Sequence, residues 1–419
     1  MTANRKMLLL TFVFVFALQG SGFSDKPSGA CCSIKSATSE IPEVTAAVQK
    51  LIDDQKLSGA VVAVLHKGKM IHYKAQGLRD IETDKPMQQD TIFRIYSMSK
   101  PITTVAAMIL WEEGAFKLDD PVHQYIPQFK DLKVYQATEE ADAGRAMTVR
   151  DLMRHTSGLT YDWGADAEIE KMYRQKNVLD FDQPLSVMID KLSGIPLLFN
   201  PGDKWNYGVS TDVLGYLVQQ VSGKPFDVFL AERIFKPLGM NDTAFYVHSD
   251  KTDRFAINYG PDDNGGLKIV DGIQESRFLK NPALLSGGGG LVSTAPDYLQ
   301  FCRMLVNKGT LDGKQILKKE TVELMTQNHL PDGIWTWDAG TGFGLGFSVF
   351  VGTENVKGAV GEYGWGGMAS THFWILPDKD LAVVALSQIV PYTNQLADAI
   401  RKPIYDEIGL QKSSVVKAK

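Results

Sequence analysis

Phe93-Arg94-Ile95-Tyr96-Ser97-Met98-Ser99-Lys100-Pro101-Ile102-Thr103 is the stretch on which the reading of this 419-residue chain turns. It reads as the end of a strand running into a long apolar helix, with Ser97 at the turn and Lys100 one helical turn later. Residues at i and i+3 share a helix face, so a hydroxyl and an amine meet there. Serine is a weak nucleophile at its own pKa and needs a base beside it. A lysine kept partly neutral by burial is such a base. The spacing decides nothing alone, because Ser414 and Lys417 repeat it in the C-terminal tail. Its weight depends on what the rest of the chain brings to it.

Outward from Ser97, Thr103 to Glu113 is apolar on nearly every side, the mark of a core helix. Ser97 is therefore pinned at the N-terminus of a buried element. Upstream, Val44, Val48, Leu51 and Ile52 have helical spacing behind Pro42, and Ala60 to Leu65 reads as a buried strand. His66 to Lys69 is a turn, and Met70 to Tyr73 starts the returning strand. Downstream comes a long helical middle. It holds a capped short helix over Thr148 to Arg154, a turn from Asn200 to Tyr207, and helices ending at Gly223 and Gly239. Asn241 to Leu279 shows little periodicity and reads as loop-rich. Helix Ala295 to Leu305 follows. Strands return over Gly344 to Val351, Thr371 to Leu376 and Leu381 to Leu386, the last two joined by a turn at Pro377 to Asp380. A final helix spans about Asn394 to Ile408.

Strands at both ends and helices between them imply an α+β fold. One central antiparallel sheet is built from both chain ends, flanked by terminal helices, with an inserted, mainly helical lobe. The expected limits are a catalytic domain over 42–410, its sheet lobe 42–96 plus about 290–410 and its helical lobe about 97–289. The site belongs where the lobes meet.

Before that domain, Arg5 and Lys6 precede an apolar run from Met7 to Leu18 and a small-residue stretch to Ser24. This is the pattern of a signal peptide over 1–24. The expectation is an exported protein, periplasmic or secreted, with a flexible leader over 25–41 and a frayed tail over 411–419. Cys31 stands in a faint lipoprotein-like context, so a lipid anchor there is the minor alternative. Three cysteines, Cys31, Cys32 and Cys302, make no disulfide framework. With 44% hydrophobic and 22% charged residues and a net charge of −5, the composition is that of a globular protein without an electrostatic case for nucleic acid.

No G-x-S-x-G occurs, which excludes the nucleophile elbow of the α/β-hydrolases. None of the seven histidines lies in H-E-x-x-H, so no metal and no cofactor is expected. His155, between Arg154 and Thr156-Ser157-Gly158, reads as a structural turn rather than a triad member. Gly287 to Gly290 lacks the G-x-x-x-x-G-K-[ST] pattern and reads as close backbone packing.

Ser97-Met98-Ser99-Lys100, the turn carrying Tyr207, and Gly364-Trp365-Gly366-Gly367 form a set that resembles the serine β-lactamase-like superfamily. That superfamily includes class C β-lactamases, DD-peptidases and, most similar here, family VIII carboxylesterases. Arg150 to Leu159, Asn200-Pro201-Gly202 and Gly288 to Leu291 also look family-like, and the resemblance runs from about Pro42 to Ile408. It implies Ser97 as the acylated nucleophile and Lys100 as its partner in proton transfer. Tyr207 stands at the Y-x-N position as a second base, its phenol pKa lowered by Lys100. The backbone N–H groups of Ser97 and Met368 form the implied oxyanion hole. Trp365-Gly366-Gly367 takes the K-T-G place.

Two departures bear on the substrate. Val209 stands where Y-x-N has Asn, and Trp365 where K-T-G has Lys. Both are poor partners for a penicillin amide and carboxylate and suit a neutral ester. Val209, Trp365, Gly366, Gly367 and Trp205 are the expected substrate contacts, with Trp335 and Trp337 as further candidates for an apolar acyl pocket. Tyr392-Thr393-Asn394, a literal Y-x-N, starts the last helix and reads as coincidence. The expected activity is cleavage of carboxylic esters through a Ser97 acyl-enzyme. A β-lactamase or D-Ala peptide hydrolase is the alternative enzyme, and a catalytically silent penicillin-recognising module the alternative outside enzymes. The oligomeric state is open.

Overall fold

The structure is a computed structural model that describes residues 40–410 apart from 137–138, 164–167 and 353–357. The segments read as signal peptide and tail, the leader up to residue 39 with Cys31 and Cys32, and the Ser414/Lys417 pair lie outside the described residues. Strands β1 (Gly59–His66), β2 (Lys69–Asp80), β3 (Lys85–Pro86), β4 (Thr341–Phe343), β5 (Ser348–Phe350), β6 (Tyr363–Gly367), β7 (Thr371–Leu376) and β8 (Leu381–Leu386) build one sheet. Its order is β4-β5-β6-β7-β8-β1-β2-β3, and every pairing is antiparallel. The first strands of the chain thus join the last through β1 and β8, in register from Val61–Leu386 to His66–Leu381.

These central strands are near-continuous apolar runs because both sheet faces are covered. Period-two alternation divides their side chains. Val61, Ala63, Leu65, Ala382, Val384 and Leu386 enter the larger core. Ala60, Val62, Val64, Leu381, Val383 and Ala385 enter a second core with Val44 and Val48 of helix α1 (Pro42–Asp53). Leu396, Ile400 and Ile404 of the last helix, Gln395–Glu407, complete that layer. The turn joining β7 to β8 closes at Asp380, which takes a left-handed conformation (φ 47°).

The other face packs against helix Ala295–Val306 and, beyond it, helix α2 (Ser99–Glu112), buried from Ser99 to Leu110. Helix α2 starts four residues earlier than the apolar run suggested, since Pro101 falls in its first turn, where a missing N–H costs nothing. Helix α3 (Val149–Met153) begins with a reciprocal Thr148/Asp151 capping box. Helix α4 (Ser210–Ser222) follows the Tyr207 turn and ends at left-handed Gly223 (φ 67°).

One expectation needs correction. Asn241 to Leu279 is not simply loop: Asn258–Pro261 and Leu267–Asp271 pair as an antiparallel hairpin. Its first strand is buried over Asn258 to Gly260 and its second carries the exposed Ile269 and Val270, so neither shows the buried/exposed alternation that marks a strand in sequence. Among the described residues, no helix is long and apolar enough to cross a membrane.

Candidate active site

The approach to Ser97 is fixed before the helix begins. Phe93 and Arg94 pair with Ser293 and Val292. The fully buried Arg94 guanidinium donates to Ala256 O (2.6 Å), Asp271 Oδ2 (2.6 Å), Asp271 O (3.1 Å) and Ser276 Oγ (3.1 Å), and lies 3.2 Å from Gln388 Oε1. Tyr96 then takes a positive φ of 39°, a conformation that non-glycine residues adopt at a cost and that clusters at functional sites. Ser97 follows in the tight turn Tyr96–Met98 at the N-terminus of α2. Tyr298 OH donates to Met98 O (2.9 Å) and Leu291 N to Ser99 Oγ (3.1 Å), holding the turn from the far side.

Lys100 is 1% exposed, and its Nζ lies 3.2 Å from Ser97 Oγ, 2.9 Å from Tyr161 OH and 2.7 Å from Gly288 O. Burial pulls its amine down to about 7, with the Asp212 charge opposing the fall. Asp212 sits on the first turns of α4, five residues after Tyr207. Its Oδ1 accepts from Ser286 Oγ (2.5 Å) and Gly288 N (3.0 Å), while Oδ2 has no partner and burial pushes the carboxyl up. Gly288 is confined by this contact, since a Cβ there would stand 2.3 Å from Asp212 Oδ2. The glycine run is indeed close backbone packing, and it also presents a carbonyl to Lys100.

Tyr207 faces Lys100 with its ring, the ammonium position lying 4.4 Å from the ring centroid. Trp365 Nε1 donates to Tyr207 OH at 3.3 Å, and the Ser97 hydroxyl is a further partner of that phenol. The expected lowering of the Tyr207 pKa by Lys100 does not occur. Burial dominates and pushes the phenol up, and the hydrogen bonds from Ser97 and Trp365 only partly oppose it. A lysine held near 7 carries only part of its charge at neutral pH, which weakens its pull on a neighbour. Tyr161, absent from the sequence expectations, is likewise held protonated by burial.

Trp365, Gly366 and Gly367 end strand β6. The β5–β6 pairing stops at Ser348–Gly364, so beyond Gly364 that side of the strand faces the site. Gly367 permits the approach: a Cβ would stand 2.2 Å from Ile95 O, two residues before Ser97. Met368 follows, half-exposed at the rim.

A cavity of about 500 Å³ opens over Ser97. Its wall includes Tyr161, Trp163, Tyr207, Trp337, Trp365, Gly366, Gly367 and Met368. Trp337 and Trp365 are stacked at 5.9 Å, and Trp163 stacks on Tyr161 at 4.5 Å.

Several expected contacts take other places. Val209 is fully buried at the start of α4, outside the cavity wall, where its N–H donates to Thr160 O (3.3 Å). Trp205 stands behind the wall, against Tyr207 and Trp337. Trp335 is exposed and outside the wall. His155 is buried against Tyr207, Trp205 and Phe343 with Nδ1 unpartnered, and burial drives it well below the usual histidine range. Tyr392, read as coincidence, does line the cavity. Its hydroxyl donates to Asn394 Oδ1 (2.7 Å) and sits against Gly366.

Comparison with known proteins places this geometry. A family model described as "Beta-lactamase" matches residues 44–402. Protein Rv1367c of Mycobacterium tuberculosis is 36% identical over 83% of this chain and 89% of its own length. Esterase EstB of Burkholderia gladioli is 28% identical over 87% of this chain and 96% of its own. The solved structure of EstCE1, titled a hydrolase with promiscuous acyltransferase activity, superposes with a TM-score of 0.77 at 28% identity, covering 87% of this chain and 98% of that one. The matched span, the antiparallel sheet and the Ser97/Lys100/Tyr207 constellation agree with one another: the chain belongs to the β-lactamase family, whose members here include esterases and other hydrolases.

Proposed function

We propose that this protein is an exported serine carboxylesterase that works through an acyl-enzyme on Ser97. The observation that carries the reading is the pairing of Ser97 Oγ with a buried Lys100 amine 3.2 Å away, held near 7 so that a substantial share is neutral, beneath a wall of aromatic rings. Lys100 accepts the Ser97 proton as the oxygen attacks the ester carbonyl. The backbone N–H groups of Ser97 and Met368 receive the oxyanion. The protonated Tyr207 phenol then gives its proton to the leaving alkoxide and regains one from Lys100. Water attacks the acyl group by the reverse proton path, freeing the acid and Ser97. In this scheme Lys100 and Tyr207 act as a pair, Lys100 holding the base role and Tyr207 the relay.

The ester preference is supported by Trp365. Where a penicillin-type substrate needs a cation for its carboxylate, β6 offers an indole that is itself spent on Tyr207 OH. EstB is named an esterase, and a relative from Penicillium rubens, 29% identical over 86% of this chain, is named lovastatin esterase. Export rests on the N-terminal pattern of Arg5, Lys6 and the apolar run that follows.

The test compares p-nitrophenyl butyrate with nitrocefin and a D-Ala-D-Ala peptide on purified protein, alongside fluorophosphonate labelling. Turnover of the butyrate ester and a label lost in Ser97→Ala are expected. Faster cleavage of nitrocefin or the peptide overturns the ester preference, and no covalent adduct in wild type overturns the enzyme reading in favour of a silent binding module.

A further inference from the structure

Arg277 lines the same cavity as Ser97, and among the described residues no carboxylate forms an ion pair with it. Its guanidinium lies between two rings, with Cζ 3.3 Å from the centroid of Phe181 and 4.6 Å from that of Phe278. Nη1 is shielded from solvent and has no hydrogen-bond partner. The charged or titratable groups around it are Tyr96, Asp271, Arg94 and Asp212. Neither carboxylate forms an ion pair or hydrogen bond with it, and the unpartnered Asp212 Oδ2 does not reach it. Asp271 Oδ2 is taken by Arg94 Nε (2.6 Å) and Ser276 Oγ (3.0 Å), and Asp212 Oδ1 by Ser286 and Gly288. Burial accordingly pulls the Arg277 guanidinium down to about 10.

Arg94, 183 positions earlier in the chain, shows what a structural arginine in this neighbourhood looks like: every face of it is matched. A desolvated guanidinium that lacks such partners is costly unless something else completes it. Because Arg277 lines the cavity, a group bound there is within reach to complete it. Guanidinium pairs best with a planar monoanion through two parallel N–H···O bonds. The apolar flanks Phe181 and Phe278 exclude water from that pair, and the Phe181 carbonyl is tied to Ala283 N (3.2 Å) and Leu284 N (3.3 Å), which keeps both sides of the slot together.

We propose that Arg277 anchors a carboxylate carried by the substrate on an arm remote from the scissile ester. The substrate class is then an acidic ester, apolar around the bond that breaks and anionic at its far end. The proposal rests on the reading of Ser97 as an ester-cleaving nucleophile. It leaves that reading intact if it fails.

The experiment uses two matched ester pairs on the full chain. Mono-p-nitrophenyl suberate against p-nitrophenyl octanoate places the charge on the acyl arm. Para-butyryloxybenzoate against its methyl ester places it on the alcohol arm. For one pair the acidic member is expected to exceed the neutral one in kcat/KM by about tenfold or more, the scale of a desolvated charge-assisted contact. Arg277→Gln collapses that ratio toward one and Arg277→Lys retains part of it. A ratio taken within one protein cancels any loss of folded material. Binding of the uncleaved pairs to Ser97→Ala, with and without Arg277→Gln, repeats the comparison without turnover. An Arg277-dependent binding preference with no cleavage supports the anchor and removes the esterase reading. Ester cleavage with the same ratio in wild type and Arg277→Gln for both pairs overturns the anchor alone.

Discussion

The two sides of Ser97 are built to opposite rules. On one side, Lys100 Nζ lies within 2.7–3.2 Å of Gly288 O, Tyr161 OH and Ser97 Oγ, and Asp212 ties the glycine loop behind it. On the other, Tyr207, Trp337 and Trp365 present rings at 5.4–5.9 Å centroid spacing, with one indole N–H bond to Tyr207 between them. The polar side tolerates no displacement, because each hydrogen bond there sets where a proton goes. The aromatic side makes broad contacts whose loss is graded. On the proposed function, reaction class belongs to the first wall and substrate class to the second.

Breaking the polar side gives the largest effects. Ser97→Ala removes acyl-enzyme formation, and residual ester turnover falls to background in a p-nitrophenyl butyrate assay. Lys100→Met leaves Ser97 without its base and lowers kcat by about 10³–10⁴; a smaller loss than that of an aromatic-wall variant would contradict the division. Tyr207→Phe, which belongs to both walls, lowers kcat by about 10² while KM moves little.

The pH profile sharpens the comparison from within. Lys100 must be neutral to accept a proton, and its amine is held near 7, so the rate falls as pH drops below about 7. Removing the Asp212 charge takes away what opposes that depression. Asp212→Asn should move the acid limb to lower pH, a displacement that simple loosening of the fold would not produce. On the aromatic side, Trp365→Lys exchanges the indole for the ammonium of the K-T-G pattern. It is expected to cost about tenfold in kcat/KM for the butyrate ester while raising acylation by nitrocefin. Unchanged selectivity would remove Trp365 from the substrate argument.

Part of this was legible in the sequence. The apolar runs of β1 and β8 read as strands of one sheet built from both chain ends, spacing marked Ser97 and Lys100, and the family resemblance added Tyr207 and Trp365. What stayed hidden has physical reasons. Tyr161 lies far along the chain from Lys100 and reaches it only through a tertiary contact, so no local pattern marks it. Tyr392 sits in the turn before the last helix, where a Y-x-N match looks accidental until the cavity brings it beside Gly366. Val209 was placed by analogy to an Asn that points at substrate; as an apolar residue it turns into the core instead. The direction of the Tyr207 shift depended on burial, which sequence does not report. Arg277 sits in a segment with no periodicity, and only the full set of its neighbours shows that none of them pairs with it.

The central claim is that Ser97 is acylated by an ester with Lys100 as its base. Rapid-quench mass spectrometry of the protein mixed with p-nitrophenyl butyrate tests it directly. A butyryl adduct on the peptide carrying Ser97 is predicted, forming more slowly below pH 7 and absent in Ser97→Ala. An adduct on another residue, or ester turnover that persists in Ser97→Ala, would contradict it.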